Sequence, residues 1–115
     1  MSIEHFTSQV KQYPDSIEFD QIMNVIGQHF DYTPSGFNNG PNVRNEAGTN
    51  EGSCKIFAFA KLMELDEATT LACFGRFYRE EVLGQPDADN HGNIRAFMEF
   101  GWGGIEFDSV VLKAK

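Results

Sequence analysis

Positive charge is scarce in this chain of 115 residues: nine lysines and arginines stand against seventeen aspartates and glutamates, a formal charge of −8. A surface of that sign repels phosphate backbones and anionic headgroups, so nucleic acid and membrane surfaces are poor partners. Long apolar runs are missing too. No stretch reaches the ~18 residues of a membrane span, and the start, MSIEHFTSQVKQY, lacks the basic-then-apolar order of a secretory signal, so neither membrane insertion nor Sec-type export is expected. Cysteine is limited to Cys54 and Cys73, both inside segments that read as helices, in a chain large enough to fold without staples. Reduced thiols in a reducing compartment follow. The length fits one domain over residues 1–115 and leaves no room for separate cofactor and substrate lobes.

What is abundant is phenylalanine, 11 residues beside three tyrosines and one tryptophan, which predicts a core of large flat side chains. Ile3, Phe6, Val10 and Tyr13 recur at helical steps ahead of Pro14 and predict a first helix over about 2–13. Phe19, Ile22, Met23, Ile26 and Phe30 predict a second near 18–30. After Ser53 the run CKIFAFAKLMEL is apolar on every face from Ile56 to Ala60, the mark of a central buried helix. Asp66 is placed to cap the next helix, whose stripe of Leu71, Phe74, Tyr78 and Val82 predicts one continuous element. A short fifth helix over about 92–100 presents Ile94, Phe97 and Met98.

Between the second and third helices the pattern collapses. In residues 36–53 nine of eighteen residues are Gly or Asn, which predicts irregular backbone packed for a purpose. The tail alternates at Ile105, Glu106, Phe107 and Asp108, a short strand signal that can pair with the loop near 42–44. The expected fold is thus mostly α, about five helices around a Phe-rich core, with a small β element from the central loop and the C-terminal tail. Phe37, Phe100 and Phe107, outside the helical stripes, are expected to pin loop and tail to that core.

Candidate chemistry concentrates in the loop and the start of the third helix. Gly48 to Lys55 has the glycines and lysine of a phosphate loop but three residues between glycines instead of four, an acidic Glu51 and no preceding strand, so nucleotide binding of that type is not expected. Cys54 in the first turn, beside Lys55, is the one candidate nucleophile, because a helix start and a cation favour thiolate. His29 with Asp31, Glu46 with Glu51, and Asp87, Asp89 and His91 have no recognised ligand spacing, so neither a metal nor a cofactor is expected. Asn45, Glu46, Asn50, Glu51 and Lys55 supply donors and acceptors that can converge on a small polar ligand or a partner.

The blocks Asp31-Tyr32-Thr33-Pro34, Phe37-Asn38-Asn39-Gly40, the stretch from Asn45 to Ala60, Leu71-Ala72-Cys73-Phe74, Tyr78-Arg79, Asn93-Ile94-Arg95 and Gly101-Trp102 resemble the HopJ type III effector family over roughly residues 18–107. The resemblance implies a small bacterial protein and, through the family name, type III secretion; it implies no catalytic residues. A type III signal would be polar and disordered, whereas residues 2–13 read as an ordered helix, so the cytoplasm of the producing bacterium is the expected location, with secretion implied by the name alone. The leading expectation is a non-enzymatic interaction protein that presents residues 31–55 to a protein partner with a basic surface. The alternative is a small ligand-binding protein or enzyme using the same loop, with Cys54 as nucleophile or Glu46 and Glu51 as acid and base. That alternative predicts a depressed Cys54 thiol.

Overall fold

The stretch that is apolar on every face forms the axle of the molecule. In a computed structural model describing residues 1–115, it lies in α3 (Glu51–Leu62), which buries Cys54, Ile56, Phe57, Ala58, Phe59 and Ala60. α1 (Ile3–Gln12) starts where the Ser2 hydroxyl accepts the His5 N–H, and docks Phe6 edge-on to Phe59, with 5.9 Å between ring centres. Its stripe ends at Val10, for Tyr13 is 64% exposed. α2 (Phe19–His29) buries Ile22, Val25 and Ile26 against the same axle. α4 (Glu67–Ala72) packs on α1, α3 and α5 (Gly92–Phe100), and one apolar core of 25 buried residues draws on all five helices. No helix is long and apolar enough to cross a membrane.

The element expected as one helix from residue 67 into the 80s is broken. α4 stops at Ala72, and the chain resumes as a π-helical segment, Phe77–Val82. Gly75 explains the break: its φ is +62°, and a Cβ there would stand 2.9 Å from the Phe19 backbone nitrogen. The chain passes too close to residues 17–19 to keep helical geometry, and only glycine fits. The side-chain periodicity carries no trace of that tertiary contact.

Five short strands complete the fold: β1 (Phe30–Tyr32), β2 (Phe37–Asn39), β3 (Arg44–Asn45), β4 (Ile105–Phe107) and β5 (Leu112–Ala114). β2 is the middle of an antiparallel sheet ordered β3-β2-β4, with Phe37 opposite both Asn45 and Phe107. The tail therefore pairs with Phe37–Asn39 and not with residues 42–44, although Arg44 reaches across to donate to Asp108, with 3.0 Å from Nη1 to Oδ1. A second sheet, β1 with β5, was not expected; it ends α2 at His29 and turns Phe30 into a strand residue opposite Ala114. The 36–53 segment is thus ordered structure, two strands and the first turn of α3, and Phe37 is fully buried at its root. Phe100 does not reach the core. It is 40% exposed and lies on Gly40, where a Cβ would run into its ring.

Candidate functional site

Two helix starts face one cleft. α3 begins after Asn50 and α5 after His91, both with left-handed backbone (φ 49° and 53°) and neither with a side-chain cap. The first N–H groups of a helix have no intrahelical acceptor, so these two turns present free donors. Asn50, Gly52 and Ser53 on one rim, and His91, Gly92 and Asn93 on the other, border a cleft of about 350 Å³. Its apolar wall is Phe19, Phe74, Phe77 and Ile94. Phe19 meets Phe77 edge-on, with ring centres 5.3 Å apart, and Gly52 makes room for this wall: a Cβ there would stand 2.6 Å from the Phe19 ring. The π-helical segment carries Phe77, a lining residue, and Glu81, whose carboxylate lies 2.9 Å from His91 Nε2. Such segments recur at functional sites.

Beneath the rims lies a network of asparagines. Asn39 Nδ2 donates to the Asn93 carbonyl at 2.8 Å and to Asn93 Oδ1 at 3.0 Å. Asn45 and Asn93 exchange a reciprocal pair, Nδ2 to Oδ1 at 3.0 and 2.9 Å, and Asn50 Nδ2 donates to Asn45 Oδ1 at 2.7 Å. Four short side chains therefore tie β2, β3 and the start of α3 to the start of α5. Asn39 Oδ1 is the single buried side-chain polar atom without a partner.

The five residues expected to form one site divide into three groups. Asn45 is turned inward, 2% exposed, and with Asn50 belongs to this network; only Asn50 also borders the cleft. Glu51 and Lys55 gather at Tyr32, with Lys55 Nζ 4.7 Å above the ring. Burial and then the proximity of Cys54 and Glu51 push the Tyr32 phenol up, so it stays protonated. Glu46 stands apart, its side chain 76% exposed, 3.6 Å from Arg44 Nε. A common ligand for all five is not what the fold assembles, and Glu46 and Glu51, engaged with different neighbours, are not arranged as an acid and base pair.

Cys54 is 1% exposed, and its Sγ points to the Ser35 carbonyl at 3.8 Å. Burial pushes its thiol up, outweighing Lys55; the depressed thiol that a nucleophile requires is not there. Cys73 is buried as well, and its thiol is pushed up to about 12 by the same cause. No three His, Cys, Asp or Glu side chains are grouped to hold a metal.

Sequence reading missed Phe19, Phe77 and Asn93, and weighed His91 only as a metal ligand. Both phenylalanines sit on segments that read as helical and count there as core, while His91 stands in an acidic turn and Asn93 in the first turn of α5. One signal was available: Asn50-Glu51-Gly52 and Asn90-His91-Gly92 repeat an Asn-x-Gly spelling at both helix starts.

Comparison with known proteins agrees with the fold. The crystal structure of the unknown function protein VPA0580 superposes with a TM-score of 0.97 at 50% identity, over 100% of this chain and 95% of that one. No curated protein matches. The family model described as HopJ type III effector protein matches residues 3–112, which takes in all five helices and both rims of the cleft. The chain belongs to the HopJ type III effector protein family.

Proposed function

We propose that this HopJ-family protein acts by binding, and that the cleft between the starts of α3 and α5 holds a small molecule. One observation carries the reading: a concavity of about 350 Å³ that combines an aromatic wall with a polar rim, the rim being fixed from below by the asparagine network. Concave, partly apolar sites with a few convergent polar groups are where small ligands settle. A ligand with a flat or apolar body and hydrogen-bond acceptors suits it, the body against Phe19 and Phe77 and the acceptors toward the two helix starts. Gly92 allows a clean test, because it borders the cleft and a Cβ there meets nothing within 4 Å. In an amide chemical-shift screen against nucleotides and metabolites, a true ligand shifts residues 50–53 and 91–94, and Gly92→Leu abolishes those shifts while leaving the rest of the spectrum in place. A screen with no localised shifts, or shifts that Gly92→Leu leaves untouched, rejects the reading.

Exposure of Glu46 supports a second reading, in which Glu46 and Glu51 meet the basic surface of a protein partner. Asn45 takes no part in it, being buried. Loss of partner capture in the Glu46→Lys, Glu51→Lys double variant, with helical circular dichroism intact, would favour it; unchanged capture would exclude it. The cytoplasm of the producing bacterium is the location we assign before any delivery, with both thiols free and buried, and the family description supports type III secretion from there.

A further inference from the structure

A second concavity, on other elements, is of a different chemical kind. A groove of about 230 Å³ runs between the outer side of α3 and the connection from β4 to β5, lined by Ala58, Leu62, Phe107, Val110, Val111 and Leu112. Leu62 is 52% and Val110 62% exposed, two large apolar side chains open to solvent on one groove. Lys61 is the one charged residue on its lining, and its Nζ rests 5.9 Å from the centre of the Phe107 ring. Apolar walls with a lone cation, in a chain with nearly two acids per base, set this groove apart from the rest of the surface.

The groove also borders an unfinished sheet. β4 is the end strand of its sheet, and the bonds from Asp108 N–H to the Gly36 carbonyl and from Gly40 N–H to the Gly104 carbonyl fix which residues face β2. Alternation along an antiparallel ladder then turns the N–H and C=O of Phe107 and the C=O of Ile105 to the open edge, the Ile105 N–H being held by the Trp102 carbonyl. Unpaired strand edges beside apolar pockets accept extended segments, which gain main-chain bonds from the edge and specificity from alternate side chains. A volume of about 230 Å³ takes a few side chains, and with the open strand edge beside it and the one cation on its lining it suits a short extended segment carrying a carboxylate.

We propose that this groove docks an extended peptide segment of alternating apolar and acidic residues, its apolar side chains between Leu62 and Val110 and a carboxylate on Lys61. The test uses the full chain and a fluorescein-labelled heptapeptide of alternating glutamate and valine, with a lysine and valine counterpart of the same pattern, read by fluorescence anisotropy. The expected result is saturable binding of the acidic peptide, at least tenfold weaker for the basic one, at least tenfold weaker in Val110→Asp, and with the preference reversed in Lys61→Glu. Both side chains stand at the surface, so both variants should keep the wild-type melting temperature; if Val110→Asp does not, the Lys61→Glu arm decides alone. Absence of saturable binding, equal affinity for the two peptides, or binding indifferent to these substitutions overturns the proposal. A concentration-dependent dimer in sedimentation that Val110→Asp abolishes overturns it too, by placing a second copy in the groove. The groove shares no residue with the cleft between α3 and α5, so failure of either reading leaves the other standing.

Discussion

Asn45 and Asn93 together decide the shape of the cleft. Each satisfies the other through a reciprocal amide pair, and each is engaged by one further asparagine, Asn50 or Asn39. Removing one member leaves buried donors and acceptors unpaired, which costs far more than the net worth of a bond. Asn45→Ala should therefore lower stability by about 1–3 kcal/mol in urea denaturation, and should loosen both rims, seen as faster amide exchange at the starts of α3 and α5. A substitution of equal size at exposed Glu46 should change stability by less than about 0.5 kcal/mol. The network was only half legible beforehand. Asparagines crowd the segment from 36 to 53, where they read as turn formers. Which of them point inward depends on Asn93, a residue remote in sequence, and that information is tertiary. Cys54 shows the same limit from the other side. Its place in a first turn suggests a thiolate, and burial reverses the sign.

Among the elements, those with a stripe long enough to repeat were readable. α1, α2, α3 and α5 fall within a few residues of their expected bounds because their apolar spacing is set by the core they face. The strands, two or three residues each, are too short for a period of two to show, and their pairing brings together distant parts of the chain. The interruption after α4 hangs on Gly75. Gly75→Ala places a side chain at positive φ, at a cost of about 1–2 kcal/mol, and adds a clash with the Phe19 backbone. A melting temperature lower by at least about 5 °C is expected, with Gly92→Ala as the control that stays near wild type, since a Cβ there meets nothing within 4 Å.

The start of α4 carries a pH dependence. Hydrogen bonds from Thr69, its N–H 2.7 Å from Asp66 Oδ1, hold the Asp66 carboxyl below its ordinary range. A carboxyl depressed in the folded state stabilises above its unfolded pKa, and that contribution fades as pH falls through the folded value. Urea midpoints should thus fall more steeply below about pH 4 in the wild type than in Asp66→Asn, which keeps a capping oxygen without titrating. At neutral pH, Asp66→Ala should cost about 1 kcal/mol. A midpoint curve for Asp66→Asn that parallels the wild type down to pH 2 would contradict this assignment.

At the scale of the whole molecule, the chain is closed by its own end. β5 pairs with β1, the Lys115 N–H bonds the His29 carbonyl, and Leu112 is buried at 5% exposure. Deleting residues 112–115 removes that ladder and uncovers Phe30. Burial of the leucine alone is worth about 1.5–3 kcal/mol, so the melting temperature of the shortened chain should drop by about 10 °C; an unchanged value would mean that β5 adds nothing.

This closure also gives the fold a mechanical direction. A tension applied at the carboxyl end loads the β1–β5 ladder from its Ala114 end and opens it one bond after another, as a zip opens. A tension applied at the amino end must drag α1 sideways with Phe6 and Val10 still seated in the core, so many contacts resist together. A translocating or degrading machine that pulls on this protein should meet a soft end and a hard one, and the hard one is the amino terminus.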